Sequence, residues 1–226
     1  MDRAVRAVLR LADVAPPKGG LLAMGKPMTL PSHEYCDKFC GTRRVPPLSA
    51  GGSGLVRGVL HKPQRALEFI LYLTRLAHAF KIDVVVEGLE HPGMLEAAAI
   101  LGADHGQGYG IARPMPAGEV AAWYGSYRYP VDPQNPQTAL GAMAGYLLWD
   151  MQANVMADRG VSAEELPGAS RMVERFLSAN ALEESPLGRL VSEMAPVGHG
   201  ANGTHNVRQG KVIEYLTEYW LEEMGR

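Results

Sequence analysis

Three consecutive valines, Val84, Val85 and Val86, run directly into Glu87 and Gly88. β-branched side chains lose rotamer freedom in a helix and pack well on a pleated surface. A run with no polar alternation suits a strand buried on both faces, as in a parallel sheet. The pattern predicts a strand over 82–86, and helical patterns flank it. Upstream, Pro63 suits a helix start. Leu67, Ile70, Leu71, Thr74, Ala77 and Phe80 then recur at helical spacing until about Lys81. Downstream, Pro92 opens a helix with Leu95, Ala98, Ala99 and Leu101 on its buried side, and Gly102 as its cap. A second, Gly-rich strand is expected over 104–110, and Pro116 opens a third helix through Glu119 to Tyr124. The order α-β-α-β-α is the repeating unit of a parallel α/β sheet.

The rest of the chain divides by composition. Residues 1–54 have a short amphipathic pattern over 2–14, with Val5, Val8, Leu9 and Ala12 on one face. Then follow Pro16, Pro17, Gly19, Gly20, Pro27, Pro31, Pro46, Pro47 and the Gly51–Gly54 stretch. That density of breakers reads as irregular chain. Residues 128–137, with Pro130, Pro133 and Pro136 among polar residues, read as a linker. Beyond them the pattern is all-helical, over 138–158, 164–180 and 212–224. Leu140, Met143, Ala144, Leu147, Leu148 and Met151 form the stripe of the first helix.

With 226 residues, 46% of them hydrophobic, the chain has material for a packed core. A net charge of −2 argues against a sequence-independent nucleic-acid binder, which would be basic. The two cysteines, Cys36 and Cys40, make no disulfide framework and fit a reducing cytoplasm. No apolar run reaches the ~18 residues of a membrane span. The basic N-terminal stretch is broken by Arg6, Arg10 and Asp13, unlike a signal peptide.

The chemistry concentrates at the strand ends. In α/β barrels the C-terminal ends of strands converge on one mouth, where carboxylates gather around metals. Glu87-Gly88-Leu89-Glu90 is followed, one βα unit later, by Gln107-Gly108-Tyr109-Gly110 and then Arg113-Pro114-Met115-Pro116. This ordered series resembles the C-terminal third of an EAL domain, the cyclic-di-GMP phosphodiesterase barrel. Leu76-Ala77-His78 resembles the helix before the family's catalytic strand, and the likeness spans about residues 55–124. It implies an incomplete TIM-type (β/α) barrel segment over 55–127, followed by a small all-α region over 138–226. It implies Mg²⁺ or Mn²⁺, with Glu87 as metal ligand and catalytic residue and Gln107 as the pocket's catalytic amide. Glu90, Gly108, Arg113 and Pro114 fall where the family contacts its substrate. The reaction implied is hydrolysis of cyclic-di-GMP to linear pGpG. Gly88 and Gly106 are expected to let backbones approach closely at the mouth.

The chain also departs from that family. The Glu-Ala-Leu segment, the intermediate Asn and Glu ligands and the adjacent Asp pair have no counterpart. Ala50–Gly54 stands where the family has Lys-Ile-Asp-Arg. Truncation, a frame shift or a gene fusion would each produce such a break. A divalent cation wants several oxygen ligands, so little hydrolysis is expected. The other reading is an inactive EAL-derived interaction or nucleotide-binding module, docking a protein partner or a second copy through its open sheet edge or helical tail.

Other candidates carry less. His33, Cys36 and Cys40 lack a fourth zinc ligand. The glycines at 49–54 lack a following Lys-Ser or Lys-Thr. His78 reads as a structural helix histidine. Ser185-Pro186-Leu187-Gly188, with His199 and His205, weakly resembles helical tails in which a cysteine precedes Leu-Gly and helps hold zinc. Serine is a poor zinc ligand, so metal sensing is not expected.

Overall fold

The computed structural model describes residues 4–7, 9–10, 29–30, 58–59, 61–128, 131–157, 170–193 and 203–225. It is mostly helical, with two small three-stranded sheets, one of which holds a parallel strand pair. The N-terminal strands are β1 (Ala4–Ala7), β2 (Leu9–Arg10) and β3 (Thr29–Leu30). Helix α1 (Pro63–Ala79), strand β4 (Val85–Glu87), helix α2 (Pro92–Ile100) and strand β5 (His105–Gln107) follow. A short strand β6 (Met115–Pro116) and a 3₁₀ turn lead into α3 (Val120–Ser126). Four helices close the chain: α4 (Ala139–Ala157), α5 (Ser170–Ala179), α6 (Pro186–Ser192) and α7 (Gly203–Gly225).

The expected α-β-α-β-α order is present, with shorter strands. Helix α1 has proline in its first turn, and Lys81 then takes a left-handed φ of 56° that turns the chain toward β4. Gly88 (φ 77°) ends β4, and Gly102 (φ 83°) follows the cap of α2. Both positions need a conformation that glycine adopts without penalty. β4 and β5 pair in parallel, with Val85 opposite His105, Val86 opposite Gly106 and Glu87 opposite Gln107. Val84 and Val86 are buried at 5% and 0% exposure, whereas Val85 is half-covered. The triple valine therefore buries one face fully and the other in part. Phe80, expected on the inner stripe of α1, is exposed because the helix ends before it.

The N-terminal segment differs from the helix expected over 2–14, and strands lie within the region read as irregular. β2 adds antiparallel to the free side of β5, Leu9 opposite Gly106 and Arg10 opposite His105. β1 pairs antiparallel with both β3 and β6. Ala4–Arg10 is too short to sustain an isolated helix, while the edge of β5 offers unpaired backbone groups that another strand satisfies. Cys36, Cys40 and His33 lie outside the described residues, as do the glycines at 51–54 and His199.

The helices after residue 138 pack directly on the α/β part. The buried cluster is continuous from Val59 to Trp220. α4 is its axis, with α2, α7, α5 and α1 against it. Every residue from Ala139 to Leu147 is buried, so this half of α4 is apolar on all sides. The proline-rich stretch before it is an ordered turn. Gln134 N–H donates to Asp132 Oδ1 at 2.9 Å, Arg175 donates to the Gln134 carbonyl, and Val131 is 3% exposed. Among the described residues, no helix is long and apolar enough to cross a membrane.

Candidate functional site

Glu87 and Gln107 come together. Each is the last residue of its strand, and the parallel register sets them side by side at the C-terminal end of the pair. Both are half-buried. The loops after the two strands interlock: Leu89 N–H donates to the Gln107 carbonyl at 3.1 Å, and Gly110 N–H donates to the Leu89 carbonyl at 2.8 Å. A Cβ on Gly108 would meet the Leu89 backbone at 2.2 Å, and one on Gly110 would meet it at 2.8 Å. Close backbone approach is made at Gly108 and Gly110. Gly106 is buried within the sheet, opposite Leu9.

The remaining candidates sit on these loops. Glu90 is exposed just beyond the interlock. Arg113 is exposed, and its guanidinium carbon lies 5.1 Å from the Tyr109 ring centroid. This is cation–π distance. Pro114 is exposed and leads into β6. The strand ends carry a carboxylate and an amide side by side, and the loop after β5 carries a cation seated on an aromatic ring. Leu89 itself is 3% exposed and anchors both loops in the core.

The donor set does not fit a divalent metal. Among the described residues, no three His, Cys, Asp or Glu side chains are grouped to hold one. Glu87 and an amide leave too few oxygens for an ion that wants about six. His78 has a structural role. Its Nε2 lies 2.9 Å from Asp104 Oδ2, and the same oxygen accepts from Val84 N–H at 2.7 Å. That carboxylate ties the end of α1 to the start of β4. Ser185 caps α6, accepting from Gly188 N–H at 3.1 Å. A Cβ on Gly188 would stand 2.0 Å from the Glu183 carbonyl, so Ser-Pro-Leu-Gly here is a helix-start motif.

The sequence reading missed the most buried charge. Glu96 is 3% exposed and sits at the N-terminus of α4. Its Oε1 accepts from Gln137 N–H at 2.8 Å. Its Oε2 accepts from Thr138 N–H at 2.9 Å and from the Thr138 hydroxyl at 2.5 Å. Glu223 of α7 adds a second carboxylate, accepting from Ala139 N–H at 2.9 Å. Removal from water pushes the Glu96 carboxyl above its ordinary range, against the opposing pull of these donors. Gly141 leaves room for the carboxylate, since a Cβ there would lie 2.1 Å from Oε2. The signal was legible: Glu96 is a lone charge in Met94–Ile100, and Thr138 is a capping residue at a helix start.

His91 joins the site to the C-terminal helix. It caps α2 by accepting from Gly93 N–H on Nδ1 at 3.1 Å, and its ring meets the edge of Trp220 at 4.9 Å. Burial pushes its pKa down, which favours the neutral ring that can accept this bond. No family model matches the chain, and no curated protein and no solved structure matches it.

Proposed function

We propose that this chain is an EAL-derived module, an incomplete TIM-type barrel segment that binds cyclic-di-GMP without hydrolysing it. The observation that carries this reading is the register placing Glu87 beside Gln107 at the parallel strand ends, followed by Arg113 on Tyr109. Those two side chains stand in the order and spacing of the family motifs they resemble. A guanidinium held over an aromatic face suits a phosphate with a purine stacked nearby. Glu87 and Gln107 present an acceptor and a mixed donor–acceptor, the groups that meet a guanine edge. Hydrolysis would need Mg²⁺ or Mn²⁺ as the water activator, and the donor set around Glu87 does not fit such an ion. No chemical step is assigned to this chain.

Titration calorimetry with cyclic-di-GMP, with and without Mg²⁺, tests the reading. The expected result is a heat of binding that needs no Mg²⁺ and falls at least about tenfold in affinity for Arg113→Ala. Chromatography of the same mixture should return the nucleotide intact. Absence of heat removes the ligand, and appearance of linear pGpG removes the claim of silence.

A further inference from the structure

Helix α1 carries two apolar stripes, and only one faces the core. Leu67, Ile70, Leu71 and Thr74 are buried, against α2, α4 and α7. On the opposite side Phe69, Tyr72 and Leu76 are 51%, 61% and 58% exposed, and Phe80, at the cap of the helix beside them, is 70% exposed. Apolar residues at 69, 72 and 76 follow the three–four spacing of a coiled-coil seam. Half-exposed side chains of this size present on the order of 400 Å², the scale at which an apolar patch on a monomer marks an interaction surface.

The charges beside the stripe identify what covers it. Glu68 and Arg75 each precede a seam residue, so both lie on one flank, seven residues apart. The other flank carries Leu73 and Phe80. In a parallel pair of such helices, unlike flanks meet, which would set Glu68 against Leu73 and Arg75 against Phe80. In an antiparallel two-fold pair, like flanks meet. Stacking Phe69 on Tyr72 of a second copy then brings Glu68 opposite Arg75, twice by symmetry. The charged flank also borders a groove of about 190 Å³ between α1 and α4, lined by Glu68, Tyr72 and Asp150 among others. An incoming arginine would meet two carboxylates there. Glu68 is steadied on this flank by Gln64, whose Nε2 donates to it at 2.9 Å.

We propose that α1 is the two-fold interface of a homodimer, with a second copy of this chain packed antiparallel along Phe69, Tyr72 and Leu76 and locked in register by reciprocal Glu68–Arg75 pairs. About 400 Å² from each copy, roughly 800 Å² in all, lies below the range of stable specific interfaces, so the dimer is weak and reversible. The partner is chosen by self-complementary charge, since no uniform acidic or basic ligand matches both ends of the flank.

Sedimentation equilibrium of the full chain, from low to high micromolar concentration, tests this. The expected mass rises from one chain toward two. Leu76→Lys should hold it at one chain, because this register brings position 76 of one copy beside Arg65 of the other. Glu68→Arg and Arg75→Glu should each weaken association about tenfold by setting like charges together, and the double variant should recover it. All three positions are exposed or partly exposed on one helix, and unchanged circular dichroism would show that each variant still folds. A wild-type chain that stays monomeric throughout, a dimer that survives Leu76→Lys, or a double variant that fails to recover would each overturn the proposal.

Discussion

At the scale of single residues, the constraint that shapes the strand-end loops is Gly108. Its missing side chain is what lets the two strand-end loops interlock, since any Cβ would enter the Leu89 backbone at 2.2 Å. Backbone on both sides gives no flexible group to move aside. Gly108→Ala should destabilise the fold by about 3 kcal/mol, measured by denaturant unfolding, and should loosen Glu87 from Gln107. Glu96 makes a different kind of prediction. Its folded pKa is raised above the ordinary 4.5, with burial as the largest cause. The unfolded chain then releases this proton more readily than the folded one. The group's contribution is therefore fully present below about pH 4.5 and is lost as pH rises through the raised folded value. Against Glu96→Gln, whose side chain does not titrate, the wild type should lose stability over that window. A wild-type curve that instead gains on the variant as pH rises would mean that the three donors around the carboxylate dominate its burial.

At the scale of elements, short helices owe their positions to caps. α6 is seven residues long, too short to persist by propensity, and Ser185 satisfies one of its first N–H groups. Ser185→Ala should cost about 1 kcal/mol, read as a shift of the thermal midpoint with no change at the strand-end loops. The same logic separates what was legible from what was not. Pro63, Pro92 and Gly102 mark helix ends by local sterics alone, and the expected α-β-α-β-α order follows from them. The fate of Ala4–Arg10 does not. Its apolar residues do not alternate strictly with the arginines, so the pattern does not choose between helix and strand, and the vacant side of β5 decides for strand at Leu9–Arg10. Phe80 fails for a related reason: the periodic pattern runs on past the end of α1, into the left-handed turn at Lys81. The Glu87–Gln107 pair was expected from the family resemblance alone, because the register between two strands depends on how the segments meet and is not written in either of them.

At the scale of the whole molecule, the helices after residue 138 complete the core that the α/β part begins. α2 is buried almost all round, and α4 supplies the opposing surface together with Trp220 of α7. Gly93 is small because a Cβ would meet the Trp220 ring at 2.8 Å, and the Trp220 indole N–H reaches back to the Val59 carbonyl at 3.1 Å. A chain ended after residue 130 would expose the apolar side of α2. It should lose cooperative thermal unfolding and bind a hydrophobic dye. A sharp, dye-free transition in that shortened chain would show that the α/β part is stable without α4.

The amino-acid order alone determined the succession of helices and strands from Pro63 to Tyr124. That succession depends on local sterics and on the two-residue period of a strand, which neighbouring residues carry among themselves. Only the tertiary structure decided that Ala4–Ala7 and Leu9–Arg10 are strands, that Glu96 caps a helix some forty residues away, and that α1 leaves an apolar stripe outside. Each of these depends on which surfaces meet, and a pattern of apolar residues records that a face is sticky without recording what lies against it.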